Sequence, residues 1–295
     1  MTDSFRMAKS RIEWEKAITY ILLHISCLAV LWVGISMTAV AVAIMLYIAR
    51  MFFITGLYHR YFSHRAFKTS RVTQFIFGVL GCTAGQLGPV WWSSHHRHHH
   101  RYSDQPEDIH SPHHDTLLES HAAWFLRAEN AEVQWRYVKD WSRYPELVWL
   151  EEQRLMPFFA LAGLLFALGQ YLNWAYPQTH TDGWQLLVWG FAISTVAVYH
   201  ATYTINTFAH LWGTRRFETD DHSRNNWFLA ILTMGEGWHN NHHWYPSSAS
   251  QGLKWWELDI TFYILKGLES LGIIWDLRTY PAVPATKKTE IVSKA

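Results

Sequence analysis

The sequence predicts an all-α integral membrane protein, in which four transmembrane helices support a helical cytoplasmic cap that holds a histidine-rich dimetal site. Three long segments, 17–49, 157–180 and 183–208, contain no Asp, Glu, Lys or Arg. One helix needs about 20 residues to cross a bilayer, so these segments are long enough for four crossings. Nine of the nineteen histidines also lie in or near three short clusters, a density that is typical of a metal site.

The charge-free segments place the individual spans. The first segment accommodates two spans joined near residues 34–36, and the polar turn 177–183 separates the other two. Trp174, Tyr176 and Trp184 flank that turn, as aromatic residues do at a membrane interface. The four spans are therefore predicted at about 17–34, 37–57, 157–176 and 184–206.

The positive charges predict the orientation of these spans. Except for Arg50, which we expect near the inner surface, every Lys and Arg lies in residues 1–16, 59–156 or 207–295. Cytoplasmic segments are enriched in Lys and Arg. Both termini and all the histidine clusters are therefore expected on the cytoplasmic side of a bacterial inner membrane.

The two long segments outside the spans, 59–156 and 207–278, are predicted to form the cap. Apolar residues in 255–268 recur at spacings of three and four, which predicts an amphipathic helix along the membrane surface. Residues 281–295 are polar and lack a packing pattern, so a disordered tail is expected there. The whole chain, 1–295, is predicted to be a single membrane domain.

Composition argues against several classes of protein. A net charge of +1 provides no large basic surface, so the lipid bilayer is an expected partner and nucleic acid is not. The two cysteines, Cys27 and Cys82, belong to no C-x-x-C motif and are predicted to be buried free thiols. No small-residue cleavage site follows the first apolar segment, so the first span is expected to be retained.

The histidine clusters predict two metal ions. An α-helix turns by about 100° per residue, so each H-x-x-H-H triplet is expected to aim three imidazoles at one point. Nine imidazoles exceed the capacity of a single ion, and neutral imidazole suits iron, copper, nickel and zinc. The expected ligands are His59, His64, His96, His99, His100, His210, His239, His242 and His243.

The ten other histidines are expected to have structural or solvated roles, some of them beside the ligands. His95 and His98 should point away from the ligand face of their helix. His200 lies inside a span, where ionisable residues are often functional. The remaining members of this set are His24, His110, His113, His114, His121, His180 and His222.

Three histidine boxes occur in order along the chain, H-R-Y-F-S-H at 59–64, H-R-H-H-H at 96–100 and H-N-N-H-H at 239–243. The motifs F-K-T-S, S-D-Q-P-E-D-I-H-S-P and N-T-F-A-H-L-W-G accompany them. With four spans around these boxes, the chain resembles the membrane fatty-acyl desaturases over about residues 1–278, and most of all the stearoyl-CoA (Δ9) branch in its bacterial form.

This resemblance implies an O2-dependent oxidoreductase with a non-haem centre of two iron ions. Such an enzyme removes two hydrogens from adjacent methylenes of a saturated acyl chain, and it forms a cis alkene and water. The substrate would be a fatty acyl-CoA desaturated at position 9. No H-P-G-G haem motif is present, so a separate ferredoxin-, rubredoxin- or cytochrome b5-like protein is expected to supply electrons.

The resemblance also assigns roles to individual residues. The nine clustered histidines match the metal ligands of the family, and Asn206, one helical turn before His210, matches a contact made through water. Gln86, Trp92 and Thr202 match residues that shape the bend of the acyl channel. Packing is nearly as good an interpretation of Trp92 taken alone.

A helical stripe suggests where the acyl chain would continue into the membrane. Tyr47, Met51, Thr55 and His59 follow one another at steps of four, so they share one helix face. We expect this face to form the channel wall, with Tyr47 and Met51 closing its far end. Packing against lipid or a neighbouring helix is an equally good interpretation of the stripe.

Two kinds of alternative stay open. In animal enzymes the second box resembles D-H-R-x-H-H, whereas His95 precedes His96 here, so an acyl-lipid substrate is open beside acyl-CoA. The alternative functions are a related diiron membrane hydroxylase or oxygenase and a non-enzymatic metal-binding membrane protein. A transporter would need ligands at the bilayer midplane, and relatives that hydroxylate alkanes carry glutamates within their boxes, which this chain does not.

Overall fold

A computed structural model describes residues 11–281, and it is mostly helical. In chain order the helices are α1 (Trp14–Val33), α2 (Met37–Ser63), α3 (Arg71–Cys82), α4 (Pro89–Tyr102), α5 (Pro145–Glu152), α6 (Leu155–Ala175), α7 (Gly183–Leu211), α8 (Trp227–Leu232), α9 (His239–Trp244) and α10 (Ile260–Ser270). Helices α1, α2, α6 and α7 are long and apolar enough to span a membrane. The predicted fold class is confirmed. Of the predicted tail, 281–295, only residue 281 is among the described residues.

Side-chain caps explain where several of these helices begin. Ser36 accepts a hydrogen bond from the backbone N–H of Ala39 at the start of α2, and Asp182 forms a capping box with Gln185 at the start of α7. The Ser36 hydroxyl also lies 2.7 Å from that of Thr181. The polar turns that precede α2 and α7 are therefore joined to each other.

Helix α2 extends beyond its predicted end at residue 57, through a π-helical stretch at Phe53–Ser63. The prediction ended this span before the charged residue Arg60. Arg60 is buried, however, and its guanidinium donates to the carboxylates of Glu236 and Asp259. Because the charge is paired inside the protein, the helix continues through the first histidine box.

Arg50 lies inside α2 with only 1% of its surface exposed. Its guanidinium donates to the hydroxyls of Ser194 and Thr195 and to the carbonyl of Gly190, all on α7. These neutral acceptors satisfy the charge within the helix bundle and join α2 to α7.

The chain outside the spans packs into one cap, and its two halves meet in a short antiparallel pair of strands, β1 (Lys68–Thr69) and β2 (Ile274–Trp275). The predicted surface helix begins at Ile260 and not near 255, because the Asp259 side chain accepts from the N–H of Phe262 and caps it there. Both cysteines are free, and Cys82 is buried. Cys27 is only half-buried, contrary to prediction, because much of the surface of α1 faces outward.

Candidate metal centre

The nine histidines expected as ligands come together in two groups. Within each group, one ring nitrogen from every member lies within 4.8 Å of the others. Site A consists of His59, His64, His96, His100 and His242, and site B consists of His99, His210, His239 and His243. Helices α2, α4, α7 and α9 supply eight of these residues and His64 directly follows α2, so the centre lies where two membrane spans meet two helices of the cap.

The two H-x-x-H-H triplets are each divided between the two sites, so the expectation that a triplet aims at one point is wrong. His96 and His100 belong to site A with their ring centroids 4.5 Å apart, whereas those of His96 and His99 are 6.2 Å apart. In a helix, residue i+4 is rotated by about 40° to one side of residue i, and residue i+3 by about 60° to the other. The spacing therefore directs neighbouring histidines to different sites.

Four buried carboxylates, which the sequence analysis missed, contact the Nδ1 atoms of four of these histidines. Three of the contacts are at site B, where Asp104 lies 2.7 Å from His210, Asp108 3.0 Å from His99, and Asp221 2.6 Å from His243. Glu236 lies 2.5 Å from Nδ1 of His59 at site A. A sequence signal existed for three of them, because a ligating histidine commonly donates its second N–H to a carboxylate, and Asp104, Asp108 and Glu236 lie close to a histidine box.

These carboxylates determine which nitrogen of each imidazole carries the proton. An ionised carboxylate only accepts hydrogen bonds, so Nδ1 of His99, His210 and His243 must carry a hydrogen and Nε2 of each neutral ring has a bare lone pair. The Nε2 atoms of His99 and His243 are buried without a hydrogen-bond partner in the described part of the chain. That of His210 lies 3.0 Å from Nε2 of His239. Lone pairs that converge in this way repel one another unless a cation lies between them, so site B suits a metal ion.

Burial keeps four of the five imidazoles of site A neutral, the form in which histidine binds metals. Burial, with a further contribution from neighbouring histidines, holds the pKa values of His64, His96, His100 and His242 well below the usual range. Nε2 of His64 lies 2.8 Å from that of His96, and Nε2 of His242 lies 3.0 Å from those of His59 and His100. Imidazole donors suit iron, as they suit zinc and copper.

A buried ion-pair network supports the carboxylate beside His59. Burial alone would raise the pKa of Glu236, but His59 and Arg60 lower it to about 2. Gln251 donates to the same carboxylate at 2.8 Å, and Arg60 also pairs with Asp259. Glu236 therefore stays ionised against site A.

Several histidines that were expected to be structural make specific contacts. His110 is buried with its ring 4.4 Å from that of His99, and it forms a further group with His99 and Asp108. His95 bonds to the carbonyl of Trp91, and the ring of His98 stacks on that of Tyr137. Neither His95 nor His98 belongs to site A or site B.

The residues assigned to the acyl bend are joined by hydrogen bonds. The Gln86 amide donates to the Thr202 hydroxyl at 3.0 Å, and the Trp92 indole donates to the Gln86 carbonyl at 3.3 Å. All three line a cavity of about 600 Å³ that extends to His96 and Asn206. This volume is in the range that is typical of small-molecule sites.

A second cavity, of about 50 Å³, lies directly beside the metal centre, where Trp92, Thr202 and Asn206 line it together with His59, His96, His99 and His239. Met51 and Thr55 form its wall toward the membrane. Tyr47 lines neither of these cavities, and its hydroxyl donates to the carbonyl of Leu232 at 2.7 Å. The stripe on α2 therefore faces the smaller cavity from His59 to Met51, and the place of Tyr47 at the far end of the channel stays a prediction.

Comparison with known proteins identifies the family to which this arrangement belongs. The family model for fatty acid desaturases matches residues 12–272. The chain belongs to the fatty acid desaturase family. Together with the four apolar helices, this match makes it an integral membrane protein.

Individual relatives differ in the substrates that their names give. A chloroplastic palmitoyl-monogalactosyldiacylglycerol delta-7 desaturase of Arabidopsis thaliana is 37% identical over 81% of this chain and 62% of its own length. An acyl-CoA C20 Delta5-desaturase of Anemone leveillei is 36% identical over 78% of this chain and 70% of its own. An sn-1 stearoyl-lipid 9-desaturase of Anabaena variabilis is 35% identical over 92% of this chain and 95% of its own. The chain thus spans less than two thirds of the first of these relatives.

Proposed function

We propose that this desaturase introduces a cis double bond at position 9 of a saturated acyl chain, with one iron ion in site A and one in site B. The acyl chain loses two hydrogen atoms, which dioxygen takes up together with two electrons and two protons to form two molecules of water. The main support is the pairing of two histidine groups at the inner end of a cavity that is long enough for an alkyl chain. When bound, the iron pair would supply the oxidising power for this reaction.

The protein's own residues would bind and orient the two reactants. Asp104, Asp108 and Asp221 hold three imidazoles of site B in the tautomer that binds a metal, and Glu236 fixes His59 at site A. Asn206 lines both cavities, where its amide can hold a water beside the centre. The bonded set Gln86, Trp92 and Thr202 would bend the acyl chain past His96.

The cellular setting completes the proposal. The resemblance to the bacterial form favours a bacterial inner membrane, and the distribution of Lys and Arg supports a cytoplasmic position for the metal centre and both termini. A separate ferredoxin-, rubredoxin- or cytochrome b5-like protein would donate the electrons. The stearoyl-CoA resemblance favours acyl-CoA as the substrate, whereas the Anabaena relative is named for a lipid-bound chain and for position 9.

The proposal is tested by metal content and by product together. Anaerobic reconstitution should load about two iron ions per chain, because nine imidazoles suit two sites. Mass spectrometry of fatty acids from aerobic cells that express the protein should then detect a new double bond at position 9. A fully active protein with one iron would refute the diiron assignment, and a hydroxylated product would favour the related hydroxylases.

Two neighbouring histidines provide matched variants for this experiment. His99→Gln removes a ring of site B and should abolish desaturation, since no neighbouring ring can replace it. His98→Gln changes a ring that stacks on Tyr137 outside both sites, so substantial activity should remain. Equal losses at equal expression would contradict the assignment of site B.

A further inference from the structure

The helix that carries the second histidine box begins without a cap from its own chain. Helix α4 supplies three of the nine clustered histidines, and Gly88, directly before it, has no side chain that could bind the free N–H groups of its first turn. Glu151 on α5 takes this place. Its Oε2 atom accepts hydrogen bonds from the backbone N–H groups of Val90 and Trp91, each at 2.9 Å. A carboxylate at this end of a helix is also favoured by the helix dipole.

The Glu151 carboxyl group is buried and closely surrounded. Only 4% of Glu151 is exposed, and a Cβ atom added to Gly88 would overlap its carboxylate. Nη1 of Arg154 lies 3.7 Å from Oε1 and donates to the backbone carbonyl of Glu151 at 2.9 Å. Burial raises the pKa of Glu151, and the hydrogen bonds from the first turn of α4 and the charge of Arg154 offset this only in part. The carboxyl group is thus confined between the start of α4 and Arg154.

The turn before α4 is strained and is held partly by the same contact. Leu87 has a backbone φ of 63°, which is unusual for a residue other than glycine. Such a conformation persists only where the surrounding structure holds it. The hydroxyl of Tyr58 donates to the carbonyl of Leu87 at 3.1 Å on one side, and the Glu151 carboxylate binds the first turn of α4 on the other. The same turn contains Gln86, whose amide donates to the hydroxyl of Thr202.

Glu151 also connects α4 to a membrane span, because α6 begins shortly after it at Leu155. Resting on the proposed diiron desaturase function, we propose that Glu151 is a positioning residue for the second histidine box, which it holds by fixing the start of α4 against the start of α6. The ligands on α4 are divided between the two sites, so a movement of this helix changes site A and site B together. Asp221, by contrast, contacts the site B ligand His243, so its replacement acts on site B.

Two substitutions remove this contact in different ways. Glu151→Gln takes away the charge and leaves a single acceptor oxygen. Gly88→Ala keeps Glu151 but places a methyl group where the carboxylate lies, and the φ of −89° at this position is one that alanine adopts readily. The matched control is Glu152→Gln, the same change at the next residue, which is exposed. Each full-length protein is purified in detergent and loaded with the Mössbauer-active isotope of iron.

Mössbauer spectra report the surroundings of the two iron ions separately. Both iron signals should shift in Glu151→Gln and Gly88→Ala, with a rate of desaturation about 10- to 100-fold lower, whereas Glu152→Gln should match the parent protein. Hydrogen exchange in the first turn of α4 should be several-fold faster in the same two variants, with or without iron. Parent-like spectra or parent-like exchange in both variants would overturn the inference and leave the proposed function standing. A parent protein that fails to bind two iron ions would instead count against the proposed function, and the hydrogen exchange, which needs no metal, would still decide the inference.

Discussion

At the scale of single residues, the four carboxylates show how the protein prepares its histidines for a metal. Burial alone would raise the pKa values of Asp104, Asp108 and Asp221, but the adjacent histidines and hydrogen bonds from neighbouring groups lower them. Each carboxylate therefore remains an acceptor for an Nδ1–H group. The orientation of the rings is thus fixed by protein contacts and does not depend on the ion alone.

Replacing one of these carboxylates should weaken the centre without removing any ligand. Asp221→Asn replaces a carboxylate, whose two oxygens accept hydrogen bonds from His243 and Ser223, with an amide that has only one acceptor oxygen. We expect iron affinity or activity to fall by about 10- to 100-fold. Iron per chain and the rate of desaturation provide the measurement.

The matched control for this prediction is Asp276→Asn. The Asp276 side chain is 60% exposed, pairs with the exposed Lys68 and belongs to neither site A nor site B, so its replacement should change neither quantity. Parent-like iron content and activity in Asp221→Asn would show that His243 does not need its carboxylate.

The sequence allowed the ligands to be predicted but not their partition between two sites. The boxes are local, and their spacings select eight of the nineteen histidines, to which the family resemblance adds His210. The carboxylate contacts join residues far apart in the chain, such as Asp104 and His210, which are separated by 106 positions. Only the packing of α4 against α7 and α9 brings such groups together, and no sequence period contains that information.

At the scale of helices, Arg97 joins the second histidine box to the first. It lies between two ligands on α4, and its guanidinium donates to the carbonyls of Phe62 and Ser63 at the end of α2. Two further hydrogen bonds attach it to the carboxylate of Asp140. Arg97 thus fixes the distance between the two helices that supply most of site A.

Asp140→Asn should destabilise the protein in a pH-dependent way. Burial alone would raise the pKa of Asp140, but Arg97 and Arg65 lower it below the usual value of 3.8. The ion pairs therefore stabilise the native state above that value, and this contribution is lost as the pH falls through the lower native pKa. At pH 7 we expect a loss of about 1–2 kcal/mol in the free energy of unfolding.

The measurement is denaturant unfolding of the parent and the variant in the same detergent at several pH values. The difference between the two proteins should shrink as the pH falls below about 4. A difference that persists unchanged at the lowest pH would mean that Asp140 acts by packing and not by charge.

The small cavity leads to a prediction about chain length. Met51→Ala would extend that cavity toward the membrane, and each extra methylene buried there is worth about 0.8 kcal/mol, or roughly a fourfold preference. In a competition between 16- and 18-carbon substrates the variant should favour the longer chain. Tyr47→Phe, which removes only the bond to Leu232, should leave the product ratio unchanged. An unchanged product ratio in Met51→Ala would contradict this position of the channel wall.

The helices themselves could be predicted more accurately than their ends. Charge-free segments locate the four spans because bilayer thickness sets their length. The end of α2 could not be predicted from nearby residues. A charged residue such as Arg60 normally lies at the surface, and Arg60 is buried only because it pairs with Glu236 and Asp259, which are far away in the sequence. The start of α10 was predicted too early. The apolar spacing already begins near residue 255, whereas the helix begins only after Asp259, whose side chain caps it.

At the scale of the whole molecule, the metal centre lies at the junction of the membrane spans and the cap. Helices α2 and α7 bring His59 and His210 out of the span bundle, and α4 and α9 of the cap supply the ligands around them. The two cavities meet at Trp92, Thr202 and Asn206, directly beside both sites. A substrate that stays in the membrane can therefore reach a centre that is built mainly by the cap.

The orientation of this assembly leads to the last prediction. The turn between α6 and α7 contains no Lys or Arg, whereas the cap contains many, so the turn should face outward and the cap the cytoplasm. In a background with Cys27→Ala and Cys82→Ala, Gln178→Cys places a thiol in the exposed turn and Ser270→Cys places one at the exposed end of α10. A membrane-impermeant maleimide added to intact bacterial cells should label the first variant at once and the second only after the inner membrane is opened. Because the proposed electron donor is cytoplasmic, the reverse labelling pattern would contradict both the predicted topology and the proposed route of electron supply.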